Sequence, residues 1–185
     1  MKKRSKRSSY LFALIAVVLF SGCLRAGSGG SRISRALETF YVEGGLTQYF
    51  IKPVYLSGKE TNIWMDFTYR HDPKKNNQVI CNFSLKSSKV EHQVTNAHFV
   101  VGQEKIQLKN LKKLVYSKSK KKYNFRYTSY ITYATLKKMI QQPTFQFTVD
   151  TKNNQHFVYT ASNKTKRKFR TINEKMIEVI SLDQN

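Results

Sequence analysis

Acidic residues are scarce in this chain. Its 185 residues hold 11 Asp and Glu against 33 Lys and Arg, a formal charge of +22. The carboxylates are scattered and mark no acid/base pair, and no GxSxG occurs. HxH, HExxH and CxxC spacings are also missing, so neither a hydrolytic nor a metal-centre motif is legible. Cysteine is limited to Cys23 and Cys81, too few for a disulfide framework. Long apolar runs are missing too. The longest, Tyr10 to Phe20, is too short to span about 30 Å of hydrocarbon as a settled helix.

That short run is informative in its setting. Lys2, Lys3, Arg4, Lys6 and Arg7 precede it, and Ser21, Gly22 and Cys23 follow. A basic segment, a short apolar core and small residues are the layout of a removable secretory signal. Leu19, Phe20, Ser21, Gly22 and Cys23 resemble the lipobox of bacterial lipoproteins, with Phe20 where Leu is usual. The resemblance implies removal of residues 1–22 and lipidation of Cys23, giving a membrane anchor. More than one acyl chain is needed for stable attachment, at about 0.8 kcal/mol per buried CH₂. Residues 23–34 form a Gly/Ser-rich tether of roughly 16–19 Å root-mean-square reach, and residues 35–185 one domain. Leu24 differs from the Asp of the inner-membrane retention signal that the resemblance would imply. The expected location is therefore the cell envelope, on the periplasmic face of the outer membrane.

Period-two patterning dominates the domain and predicts a mostly β fold, an antiparallel β-sandwich or open barrel. Ile63, Met65, Phe67 and Tyr69 alternate with polar neighbours and form a hairpin with Val79, Cys81, Phe83 and Leu85. This pattern buries Cys81 as an inert thiol. Shorter strands are expected at 38–43, 48–52, 97–101, 105–108 and 111–116. Tyr123, Phe125 and Tyr127 form an aromatic stripe after a lysine-rich turn at 117–122. Phe145, Phe147 and Val149 pair with Phe157 and Tyr159. One short internal helix is expected at Thr135 to Gln142, stopped by Pro143. A C-terminal helix is predicted to start at Thr171, whose spacing to Glu174 is that of a capping box. Ile172, Met176, Val179 and Ile180 would form its apolar face.

Charge is the one functional signal. Residues 1–22 carry five basic and no acidic residues, so the remainder is at +17. The stretch from Glu104 to Arg170 carries +15 of that. Two runs, Lys118, Lys120, Lys121, Lys122 and Lys164, Lys166, Arg167, Lys168, Arg170, read as exposed loops that contact an anionic partner. Lysine suits diffuse, salt-sensitive attraction rather than bidentate recognition. Outside the cytoplasm the partner would be an acidic envelope protein or an anionic lipid or glycan. The compartment argues against nucleic acid. A second reading places Trp64, Tyr123, Tyr127 and Tyr159 along an aromatic cleft for a small ligand or glycan, which an aromatic content of 13% permits. His92 and His98 are six residues apart, but Asn96 interrupts their strand; His71 and His156 stand alone. They read as exposed polar residues, so no catalytic residue, metal site or cofactor is assigned. The expectation is a non-enzymatic, membrane-anchored binding or assembly subunit.

Overall fold

The computed structural model describes residues 36–42, 46–71 and 78–182. The signal, Cys23, the tether, the turn at 72–77 and the side chains of Met176, Val179 and Ile180 lie outside the described residues. Among the described residues the fold is mostly β with two α-helices. Ten strands form one antiparallel sheet: β1 (Leu37–Val42), β2 (Leu46–Gly58), β3 (Asn62–His71), β4 (Gln78–Ser87), β5 (Val94–Val101), β6 (Glu104–Gln107), β7 (Lys109–Ser119), β8 (Lys122–Thr132), β9 (Gln146–Thr151) and β10 (His156–Ala161). Helix α1 is Tyr133–Gln141 and helix α2 is Asn163–Leu182.

The strand order is β6-β5-β9-β10-β2-β3-β4-β8-β7, with β1 also on β2. This single sheet is curled into a half-barrel. Phe83 on β4 and Phe147 on β9 are four places apart in the sheet, yet their rings meet edge-on at 5.0 Å across the interior. The alternation read from sequence sets which face is inside. Ile63, Met65, Phe67, Tyr69, Val79, Cys81, Phe83 and Leu85 are all buried. Their register is continuous across the β3–β4 hairpin, from Ile63 opposite Leu85 to Tyr69 opposite Val79. Burial pushes the Cys81 thiol far above its ordinary range, so it stays protonated and inert.

Strand β2 does not end at Lys52 as expected. It continues for six residues, and Pro53 sits in a bulge between the Ile51–Phe67 and Val54–Met65 pairs. Proline has no N–H for a ladder, so a bulge accommodates it. On the same side, β1 pairs with Leu46–Ile51 and β10 with Leu56–Gly58. Residues 52–55 thus lie where β2 changes neighbours. Helix α2 supplies the missing partners. Thr165 Oγ1 accepts from Tyr55 N at 3.1 Å and donates to Tyr55 O at 2.6 Å. Lys168 Nζ donates to the carbonyls of Lys52 and Pro53, each at 3.1 Å.

Helix α2 therefore starts eight residues before the expected Thr171. Ser162 Oγ accepts from Thr165 N and acts as the cap. Thr171 lies inside the helix, its hydroxyl donating to the Arg167 carbonyl one turn back. Thr165, Phe169 and Ile172, spaced by four and three, face inward. Phe169 reaches Phe67 and Phe145 at 6.4 and 5.8 Å. Helix α1 begins where Thr132 accepts from Thr135 N, and buries Leu136, Met139 and Ile140.

Thr165→Val removes the hydroxyl and leaves Tyr55 N and O unpaired in a partly buried setting. Its expected cost is about 1–3 kcal/mol in denaturant unfolding, with Thr165→Ser close to the parent. Equal stability of the valine variant and the parent would disprove the sealing role.

Candidate functional site

The two basic runs belong to different structures. Lys118, Lys120, Lys121 and Lys122 form the tip of the β7–β8 hairpin, closed by the pair Ser119–Lys122. Lys164 to Arg170 is not a loop but the first two turns of α2. Lys168 is half-buried there. Burial, with Lys52 and Lys164 nearby, lowers its pKa, and its ammonium is committed to two backbone carbonyls. Strand β8 lies three places from β2 in the sheet, about 14 Å at roughly 4.8 Å per strand. The hairpin tip also extends past Ser87, where β4 ends. The runs thus lie on different elements, a hairpin tip and a helix start.

The four aromatic residues proposed for a cleft are also separated. Tyr127 and Tyr159 are core residues; Tyr127 Oη accepts from Val94 N, and Tyr159 Oη bonds the Thr61 hydroxyl. Burial raises both pKa values. Trp64 lies on the outer face of β3, edge-on to Tyr55 and beneath Lys86. Tyr123 and Tyr127 both lie on β8 of the hairpin, but of these two only Tyr123 is not buried.

The hairpin carries a denser constellation than the sequence revealed. Tyr116, 48% exposed, lies opposite Phe125 and stacks on Tyr123 with ring centroids 6.1 Å apart. Lys113 Nζ is 5.8 Å from the Tyr116 ring and Lys118 Nζ 5.3 Å from the Tyr123 ring. Cations over aromatic faces are held rather than splayed into solvent. Leu114 and Val115 beside them are more than half exposed. Lys120 has φ of 54°, in the left-handed region. That conformation costs a non-glycine residue about 1–2 kcal/mol, so a charged side chain is kept where glycine would relax the turn. Tyr116, Leu114 and Val115 escaped the sequence reading as site residues. The available signal was three apolar residues in succession, which breaks period two; the structure places a bulge between Lys113 and Val115.

A few cations elsewhere are paired. Asp66, nearly buried on the outer face, accepts from Arg126 at 2.7 Å and Asn82 at 2.8 Å; Arg126 also donates to Ser84. Lys52 pairs with Glu38, and Lys138 with Glu104. The hairpin lysines have no carboxylate at ion-pair distance among the described residues. In the sequence, no acidic residue lies between Glu104 and Asp150.

His92 departs from the exposed reading and His156, though exposed, from the isolated one. His92 is buried in a single 3₁₀ turn, with Nδ1 2.8 Å from Ser87 Oγ and its ring against Phe157. His156 is not isolated: its Nδ1 lies 2.7 Å from Asp150 Oδ1. The β9–β10 register puts those residues opposite each other. The His156 hydrogen bond, then that of Asn96, holds the Asp150 carboxyl below its ordinary range against a desolvation cost. Burial and then Lys105 lower the His98 pKa. Among the described residues, no three His, Cys, Asp or Glu side chains are grouped to hold a metal. No protein family, curated protein or solved structure matches this chain.

The two shifts give a signed pH dependence. A base whose folded pKa is lowered, as at His98, destabilises the fold as pH falls through the histidine range near 6.5 and below. An acid whose folded pKa is lowered, as at Asp150, stabilises above about pH 4 and loses that contribution on further acidification. His98→Gln should flatten the decline in unfolding temperature between about pH 7 and 5. Asp150→Asn should lower stability at neutral pH and converge on the parent near about pH 3. Parallel curves for parent and variants would disprove these assignments.

Proposed function

We propose that this chain is a membrane-anchored envelope lipoprotein, lipidated on Cys23, that acts as a non-enzymatic binding or assembly subunit. It docks an acidic partner through the β7–β8 hairpin. The observation that carries the reading is the hairpin's composition: unpaired lysines held over Tyr116 and Tyr123 at an exposed edge, within a stretch empty of acidic residues. Lys164, Lys166, Arg167 and Arg170 add attraction elsewhere on the surface, while Lys168 has a structural role.

The lipobox resemblance supports the anchor, and a Gly/Ser tether suits a domain held just off a membrane. Among the described residues no helix is long and apolar enough to cross a membrane. The periplasmic face of the outer membrane remains the proposed location. An aromatic cleft for a small ligand is not carried forward, because Tyr127 and Tyr159 are in the core and Trp64 is on the opposite face of the sheet.

The test uses the full-length chain in detergent, immobilised and exposed to solubilised envelope at low salt. Retained protein should elute as salt rises to about 1 M, where the screening length is about 3 Å. Replacing Lys118, Lys121 and Lys122 by Gln, with Lys120→Gly, should cut retention about tenfold. Four Gln replacements at Lys164, Lys166, Arg167 and Arg170 should cut it less. Cys23→Ser should move the chain from the membrane to the soluble fraction. Retention unchanged by hairpin neutralisation would reject the docking surface; a membrane-bound Cys23→Ser chain would reject the anchor.

A further inference from the structure

Strand β7 is the last strand of the sheet, with β8 on one side and no strand on the other among the described residues. Its start is tied down where Leu108 N donates to the Ala97 carbonyl, next to β5. From Val115 to Ser119 its register with β8 runs unbroken, Val115 opposite Arg126 through Ser119 opposite Lys122. Such a strand presents a row of backbone donors and acceptors to any extended chain. Two devices limit that hazard. Bulges at 109–112 and 113–115 interrupt the first half, and lysines recur along its length. Against a second copy the lysines act as a barrier, since like charges facing each other across strands repel. Against an acidic strand they attract.

We infer that the free edge of β7 receives an extended acidic segment of a partner protein as an added strand over Val115–Ser119. The inference rests on the docking reading above and names how the docking is made. Backbone hydrogen bonds supply affinity, and alternate side chains supply selection. Tyr116 and Lys118 share one face, over Phe125 and Tyr123. The incoming strand therefore places an apolar residue beside Tyr116 and a carboxylate two positions away beside Lys118. Val115, on the other face and 51% exposed, takes a second apolar contact. Lys120, Lys121 and Lys122 receive further acidic residues past the strand's end. A lipid or glycan surface could use the lysines but not the backbone edge.

The probe is a synthetic peptide of about eight residues built on a Val-Val-Glu-Glu repeat, which puts a valine and a glutamate two positions apart on each face and is long enough to span Val115–Ser119. Its counterpart has the same sequence with alternate backbone nitrogens methylated, on each edge in turn. The methyl groups remove ladder donors and leave the charge unchanged. Both are titrated onto the full chain in detergent, with amide hydrogen exchange followed for residues 112–124.

The unmodified peptide should slow exchange at outward-facing amides of Val115–Ser119. Methylation of one edge should weaken binding about tenfold or more, and Lys118→Glu should do the same at low salt. Lys120→Gly, which relaxes the turn, should keep the exchange pattern of the free protein and bind more weakly. Equal binding by both methylated peptides, or binding without protection, overturns strand addition while leaving charge-driven docking intact. No binding of the unmodified peptide also overturns it. If vesicles of anionic phospholipid protected the same amides, the occupant would be a lipid surface and the inference would fail. Self-association through β7 in the absence of peptide would make the occupant a second copy and overturn it as well.

Discussion

A thirteen-residue strand with a proline in its middle needs something to complete its hydrogen bonding, and the rest of the molecule follows from how that is done. Strand β2 takes β3 along one side and divides the other between β1 and β10. Between those neighbours, Lys52, Pro53 and Tyr55 present backbone groups that no strand satisfies. Leaving the partly buried ones unpaired forfeits about 1 kcal/mol or more each. Thr165 and Lys168, one turn apart on α2, meet them. Phe169, the next residue, then enters the core between Phe67 and Phe145. The same turn of helix seals the sheet and fills the half-barrel.

This arrangement decides what the charges can do. A net positive surface of this size repels itself, and the fold tolerates it where charges are solvated or given a partner. Lys168 is committed to carbonyls, Arg126 to Asp66, and Lys52 and Lys138 to carboxylates. The lysines of the β7–β8 hairpin are not neutralised in this way. Two lie over tyrosine rings, contacts worth about 0.5–1 kcal/mol at exposed sites. Such contacts hold an ammonium in place without cancelling its charge. Spare positive charge at this edge is thereby held beside exposed aromatic and apolar side chains, whereas on α2 Lys168 is taken up by the sheet.

Much of the fold was legible because a half-buried strand reports its inward face through alternation. The β3–β4 hairpin, the burial of Cys81 and the pairing of Phe147 with Tyr159 and Val149 with Phe157 all follow from period two. Period two does not report strand order, so it leaves sandwich and barrel open; the single ten-stranded sheet, curled on itself, decides between them. The start of α2 was obscured for a related reason. Its first two turns show the core only Thr165 and Phe169, and the six remaining residues from 163 to 170 are polar, so the segment reads as a basic loop. The capping-box spacing at Thr171 is present, but Ser162 had already begun the helix. Tyr127 and Tyr159 were misassigned to a cleft because an aromatic residue on a strand looks the same from sequence whether its hydroxyl meets solvent or a buried donor. The Asp150–His156 contact was hidden by five intervening residues, which the hairpin folds back.

The edge at β7 shows how protection against one partner can define another. A flat apolar edge would pair with any extended chain, including its own copies. This edge keeps a short apolar stretch, Leu114 to Tyr116, and surrounds it with lysines. Repulsion then opposes β7 meeting β7, while an acidic strand meets attraction and the same backbone groups. Discrimination of this kind arises from a penalty on the wrong partner as much as from contacts with the right one. The strained turn fits the same account. Glycine at position 120 would relieve a left-handed backbone, and the chain carries lysine there instead. A charge retained against its local conformational cost, at the end of an open ladder, is what a docking strand for an acidic segment requires.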